Sequence, residues 1–270
     1  QDGTAVAVTQ DTDVTITFAN VTTEDGDYEF NNAATKTVTI TATNSSITFT
    51  VDTNDDYLDE VSEDYTATIT GVADHDEFEA LDYAGYTDTA STVHVNTQTT
   101  SITDELTQGP EDTVYAVLTG PGSVVEGETT TNYTVTLRDQ DGNAVTVTQA
   151  TDVVIKFANV STQDGDYEFD NGDTTTVTIA VGQSSITFDA DTTDDYLADN
   201  GEKFNVSIDS DADNGEFEAI NSDGFTDTNN VVHVDNLNTE INDETGTDTP
   251  PGGEDTVYAV LTGPGSVVEG

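Results

Sequence analysis

TQATDVVIKFANVSTQDGDYEF, residues 148–169, holds the reading that decides the fold. Within it Val153, Ile155 and Phe157 alternate with polar neighbours, which is the period of a strand with one buried face. Asp164-Gly165-Asp166 then interrupts the alternation with turn-forming residues. The stretch also stands at residues 9–30 as TQDTDVTITFANVTTEDGDYEF, identical at 17 of 22 positions. The chain is therefore a tandem repeat of strand-forming units, offset by 139 residues.

Further matches keep that offset. SSITF stands at 45–49 and 184–188, DDYL at 55–58 and 194–197, and EFEA at 77–80 and 216–219. A second kind of copy marks the start of a unit: EDTVYAVLTGPGSVVEG occupies residues 111–127 and again 254–270. Residues 1–110 then read as a repeat lacking its first strands, 111–253 as a complete repeat, and 254–270 as the first strand of a third. A compact domain does not end by restarting itself, so the expectation is a window on a longer repeat protein. The lack of an initiating Met and of a signal peptide agrees with that expectation.

The complete repeat reads as strands throughout. Tyr133, Val135 and Leu137 alternate with polar residues, as do Val177, Ile179 and Val181, then Ile186 and Phe188, then Phe204, Val206 and Ile208. Thr fills the opposite face, where a β-branched polar residue suits a solvated strand. Asp141-Gly142-Asn143 signals a hairpin. Seven to nine short strands with no helical period predict an all-β fold of tandem β-sandwich repeats.

Composition narrows the function. The 4 Lys and Arg against 55 Asp and Glu give a net charge of −51. That balance excludes nucleic acid as a partner, because phosphates require cationic side chains. It opposes adhesion to anionic lipid, and no apolar run approaches the roughly 20 residues of a membrane span. With no Cys, disulfides, zinc-thiolate sites and cysteine nucleophiles are excluded. A cysteine-free chain suits an extracellular location.

Motif order carries more. Ser123-Val124-Val125-Glu126-Gly127 precedes a strand ending Thr134-Val135-Thr136-Leu137, and Asp164-Gly165-Asp166-Tyr167 follows the middle strands. Then come Ser185-Ile186-Thr187-Phe188, Asp194-Asp195, Asp199, Glu202 and Phe204-Asn205-Val206, and the repeat closes on Ile241-Asn242-Asp243-Glu244. In this order the repeat resembles the Calx-beta domain, in the tandem form found in giant bacterial surface adhesins of the RTX type. The resemblance covers 111–244 and, less its first strands, 1–105.

The resemblance implies an immunoglobulin-like β-sandwich with calcium at one end, near the next domain. Carried over by position, the implied ligands of the complete repeat are Glu126, Asp166, Asp194, Asp195, Glu202, Asp243 and Glu244. In the first repeat they are Asp27, Asp55, Asp56, Glu63, Asp104 and Glu105, and Glu269 serves the third. The family's E-x-x-E is broken in the complete repeat, where Asp199 stands opposite Glu60 of the first. The chemistry agrees with the implied ion: Ca²⁺ takes 6–8 hard oxygen ligands, several of them carboxylates. Without a cation, two carboxylates about 4 Å apart repel by about 4 kcal/mol at an effective dielectric near 20. The alternative is a solvated acidic surface, which is the reading for acids outside the recurring sets. Glu168, Glu216 and Glu218 alternate with aromatic residues and are expected to point outward, as are His94 and His233 between their flanking valines.

The expectation for function is a non-enzymatic extender repeat of a long bacterial cell-surface adhesin or filament, stiffened by Ca²⁺ at repeat junctions. Its partners are neighbouring repeats of the same chain. Two alternatives stand: a filament subunit joining identical chains by β-strand exchange, and a carbohydrate- or receptor-binding module.

Overall fold

The computed structural model describes residues 2–60, 62–104, 106–127, 133–197, 200–212, 214–243, 257–263, 265–266 and 268–270. The chain divides into two compact units, Gln1–Gln108 and Gly109–Gly270. The first contains β1 (Thr12–Asn20), β2 (Thr35–Ile40), β3 (Glu63–Ala73), β4 (Tyr86–Thr87), β5 (Val93–His94) and β6 (Thr97–Ile102). The second contains β7 (Thr113–Thr119), β8 (Ser123–Val125), β9 (Tyr133–Arg138), β10 (Thr151–Asn159), β11 (Thr174–Ile179) and β12 (Ser185–Phe188). It continues with β13 (Glu202–Ala212), β14 (Ala219–Asn221), β15 (Phe225–Thr226), β16 (Val232–His233) and β17 (Asn236–Asn242). No helix occurs among the described residues.

The second unit is a sandwich of two sheets. One has the order β11-β10-β13-β17-β8 and the other β12-β9-β7-β14, with β15-β16 as a separate ribbon. Alternation places Val153, Ile155, Phe157, Phe204 and Val206 in the core from the first sheet, all with no solvent exposure. From the second sheet, Val114, Ala116, Tyr133, Val135 and Leu137 are as fully buried. The Tyr133 hydroxyl bonds Thr239 Oγ1 at 2.5 Å and so ties the two sheets through a polar contact inside the core.

Both units build the corner after the first long strand in one way. Asp25 Oδ1 accepts the Asn32 N–H and an Asn20 amide proton, and Asp164 repeats this with Asn171 and Asn159. The following tyrosine turns inward: Tyr28 stacks on Tyr65 at 4.4 Å and Tyr167 on Phe204 at 4.4 Å. Their hydroxyls reach Asn20 and Asn159 Oδ1 at 2.8 and 2.9 Å, which satisfies the one polar atom each ring carries inside. The register slip after Thr15 in β1 recurs after Val154 in β10. The Asp141-Gly142-Asn143 turn forms as read, with Gly142 at φ 82° and the Arg138–Ala144 bridge closing it.

Three details depart from the alternation. β11 ends at Ile179, and Val181, read as its inward continuation, is 63% exposed where Gly182 turns the chain at φ 80°. His233 faces inward, its side chain 14% exposed, while the flanking Val232 is 70% exposed; His94 stays 38% exposed beside Val93 at 68%. Glu216 is buried, because its carboxylate takes the Thr148 and Gln149 N–H groups at 2.5 and 3.0 Å.

The first unit holds a single four-stranded sheet, β2-β1-β3-β6, with the β4-β5 ribbon. The counterparts of β7, β8 and β9 fall before residue 1 in its numbering offset. The SSITF stretch differs between the two units. As Ser185–Phe188 it is β12, paired with β9 through Ile186–Val135. As 46–49 it forms no strand, and Ile47 and Phe49 are 45% and 38% exposed.

Phe188 packs on Tyr133 at 5.3 Å and edge-on to Phe157 at 6.5 Å. Phe188 is partly buried between these rings, whereas Phe49 is 38% exposed. Phe188→Ala is therefore expected to lower the urea midpoint of the second unit by more than Phe49→Ala lowers that of the first, which stays within about 1 kcal/mol, the scale of ordinary surface changes. Equal losses from the two substitutions would contradict the difference in packing.

Candidate metal centre

Carboxylates gather where the long strands begin and the turns end. In the first unit, single carboxylate oxygens of Asp27, Glu60 and Glu63 lie within 4.8 Å of one another. Asp27 closes the Asp25-Gly26-Asp27 turn and is 8% exposed. Gly26 adopts φ 129°, a conformation only glycine enters freely, and it aims the turn at the pole. The carboxylate of Asp27 accepts the Glu24 N–H, and its carbonyl accepts the Asn54 N–H at 2.9 Å. Glu63 opens β3, paired with Ile102 of β6. Glu60 donates its N–H to Asp104 Oδ2 at 3.2 Å. Asp55 and Asp56 lie exposed in the loop that the Tyr28–Thr53 bridge ties to the same corner.

The electrostatics follow from that crowding. Burial, then the charges of Asp27, Asp56, Asp104 and Glu24, push the Glu60 carboxyl up to about 7. Burial and the neighbouring Asp27 and Glu60 raise Glu63 to about 7 as well. Glu63 Oε2 is sealed from solvent without a hydrogen-bond partner. A donor set of carboxylate oxygens only, with one oxygen left unsatisfied, fits a hard divalent cation such as Ca²⁺. It offers nothing to a soft metal.

In the second unit backbone contacts link the segments that carry the counterpart positions, although no three of their carboxylates lie within 4.8 Å of one another among the described residues. Glu126, at the end of β8, is 5% exposed; its N–H reaches the Asn242 carbonyl at 2.9 Å and its Oε1 accepts the Asp195 N–H at 3.0 Å. A Cβ on Gly127 would come within 2.8 Å of Asp194 Cβ, so only glycine lets the two segments close up. Asp166, 7% exposed, accepts the Gln163 N–H at 2.5 Å, and its carbonyl accepts the Thr193 N–H at 2.9 Å. The Gly201 N–H bonds the Ile241 carbonyl, which sets Glu202 at the head of β13 beside the end of β17 and Asp243. Glu126, Asp166, Asp194, Asp195, Glu202 and Asp243 thus belong to one end of the sandwich.

Four positions stand apart. Glu105, Glu244 and Asp199 lie outside the described residues. Glu269 is exposed and joins no such carboxylate group among them. Glu60 was absent from the ligands read from the sequence, yet it lies in the trio; its spacing from Glu63, E-x-x-E, was the available signal.

A second polar arrangement accompanies the ribbons. His233 Nε2 lies 3.1 Å from Asp227 Oδ2, and its ring stacks under Phe225 at 4.8 Å, which stacks in turn on Tyr115 at 4.0 Å. The Val231 N–H and then His233 hold the Asp227 carboxyl below the usual carboxylate range. Asp88 and His94 repeat the pair at 3.1 Å. Asp227 draws His233 inward, against the alternation.

Because the folded chain binds protons at Glu60 and Glu63 more tightly than the unfolded chain, its cation-free stability falls as pH rises from 4.5 to about 7. Urea unfolding in chelator is expected to give a lower midpoint for the first unit at pH 8 than at pH 5. Glu60→Gln with Glu63→Gln flattens that difference. An unchanged slope in the double variant would show that other acids carry it.

No family model and no curated protein sequence matches the chain. Among solved structures, it is similar to an apo-form Calx CBD1 domain at 12% identity and a TM-score of 0.35, over 48% of this chain and 97% of that one. It is also similar to CBD12 from CALX1.2 at 11% identity and 0.35, over 87% and 89%. A calcium binding domain CBD12 of CALX1.1 follows at 14% identity and 0.28, over 77% and 70%.

Proposed function

We propose that this chain is a non-enzymatic extender segment of a long extracellular bacterial adhesin or cell-surface filament, whose repeats bind Ca²⁺ at their acidic poles. The observation that carries the reading is the Asp27–Glu60–Glu63 trio, with Glu60 and Glu63 driven up to about 7 by burial and by the surrounding carboxylates, Asp27 among them. Such a cluster is unfavourable until a cation neutralises it, so binding and folding reinforce each other. Calcium tying each repeat to its neighbour converts a slack chain into a rod. Extracellular calcium modules work at about 10⁻⁴–10⁻³ M, so a chain slack in a calcium-poor cell stiffens outside it. The near-identity of the copies supports a spacer, since recognition of varied ligands gives copies no reason to stay alike. The net charge of −51 gives the cation a large field to relieve.

The test is thermal unfolding of the whole chain in chelator, in millimolar Ca²⁺ and in Mg²⁺. At 100 times the dissociation constant one site adds about 2.7 kcal/mol, or roughly 10–20 °C for a unit of this size. Asp27→Asn with Glu63→Gln is expected to remove the first unit's share of that shift. If Mg²⁺ or sodium chloride stabilises equally, the acids are a screened surface and the calcium reading is overturned.

A further inference from the structure

Four strands end the two sheets of the second unit, β11 and β8 in one and β12 and β14 in the other. An edge strand offers a row of unpaired N–H and C=O groups to any strand that lies alongside it. Proteins blunt such edges by keeping them short, or with charge, Pro or a bulge. β8, β12 and β14 are three or four residues long. β11 has six, Thr174-Thr175-Thr176-Val177-Thr178-Ile179, with no charge, no Pro and an unbroken register on β10. Its counterpart β2 carries Lys36 where β11 has Thr175, and Lys is a common guard of edges.

The bonding of β11 fixes which groups face out. The Phe157 N–H reaches the Asp173 carbonyl at 2.9 Å. Antiparallel pairs alternate between bonded and non-bonded, so Thr175, Val177 and Ile179 bond Ile155, Val153 and Thr151. Thr174, Thr176 and Thr178 aim their main-chain groups at the free edge, which no strand pairs among the described residues.

The side of the sandwich around this edge is uncharged. Residues 174–188 run from β11 through the turn at Gly182 to β12 and contain no Asp, Glu, Lys or Arg. β11 and β12 lie against each other where the two sheets end. Val177, Ile186 and Phe188 are only half-buried there, and Val181 is 63% exposed. Asp152, opposite Thr178 on β10, is held by the Thr178 hydroxyl at 2.6 Å. On a chain of net charge −51, this side lets a second acidic molecule approach without carboxylate meeting carboxylate.

We infer that β11 of one chain pairs antiparallel with β11 of a second copy about a two-fold axis. The occupant is another copy because the surface complements itself: both strands bring the same uncharged residues and the same outward row of donors and acceptors. One two-fold register uses all three outward residues, with Thr176 opposite Thr176 and Thr174 opposite Thr178. Thr175 then faces Val177 of the second copy on the inner side, and the two five-stranded sheets become one. The contact is small and therefore weak. Net charge opposes it at long range, so salt strengthens it. It does not depend on the proposed calcium sites, and its test is run in chelator.

The chain has no Cys, so crosslinks report register cleanly. A hydrogen-bonded pair holds its Cα atoms roughly 5.5 Å apart, within disulfide reach. Full-length Thr174→Cys and Thr178→Cys chains are mixed and oxidised. The 174–178 product is expected at least tenfold above the 174–174 product, with Val160→Cys as the background from an exposed site off the edge. Sedimentation of the native chain shows a monomer–dimer equilibrium that shifts toward dimer as sodium chloride is added. Thr176→Pro removes an outward N–H and spares the bonds to β10, so the second unit keeps its melting transition while dimerisation weakens at least tenfold. Should the proline unfold the unit, the crosslink ratio decides alone. Monomer at every concentration and salt, equal 174–178 and 174–174 yields, dimers unchanged by Thr176→Pro, or association that falls with salt each overturn the proposal. Dimers lost instead on Thr37→Pro assign the join to β2 of the first unit, which also overturns it.

Discussion

An apolar sheet face has to be covered, and in this protein that single requirement organises everything else. One wall of each repeat comes from the strands around Phe18 and Phe157, both without solvent exposure. Those phenylalanines stack on Phe30 and Phe169 at 4.1 and 3.8 Å within their own segments. That half is self-sufficient and adopts the same register, bulge and tyrosine corner in both units. The opposite wall is built by β7 and β9 in the second unit. Burial of apolar area is the dominant favourable term in folding, and in that unit pairing with β9 makes SSITF a strand.

The acidic pole uses the long-stranded sheet as a frame. In the second unit the ends of β8, β13 and β17, all of one sheet, meet two loops there, and backbone bonds such as Glu126 N–H to Asn242 carbonyl hold the carboxylates against their mutual repulsion. A strand end is the natural place for such groups. The barrel of the strand gives rigidity, while its terminus leaves the carboxyl near solvent and within reach of an ion. Gly26 and Gly127 are the two positions where backbone freedom or close approach makes this possible.

Much of this was legible in the sequence. Period-two alternation found the long strands, because in them one face is buried along the whole length, as in β10 and β13. The D-G-D-Y corner was legible from its recurrence. Alternation failed where strands are two residues long. In β16 the direction of His233 is set by one charged partner, Asp227, and no spacing encodes that. Glu216 misled for a related reason: its burial follows from two backbone N–H donors 67 and 68 residues earlier. Glu60 was passed over because its counterpart is the shorter Asp199, although three-residue spacing to Glu63 placed both at one strand head. Val181 fell to a single glycine, which ends β11 before the alternation does.

The unchanged copy of the β7 segment has a consequence for how the molecule is made. Two interchangeable strands 143 residues apart compete for one slot beside β9, and neither side-chain shape nor charge can tell them apart. Only chain distance discriminates. Loop closure grows costlier by about 0.6 kcal/mol per doubling of the intervening length, and β7 reaches β9 across far fewer residues than the later copy does. Synthesis adds a head start, since the nearer copy emerges first and can pair before its rival exists. Refolding from denaturant removes that head start, so swapped pairings form at a rate set by dilution and by the order in which hairpins close.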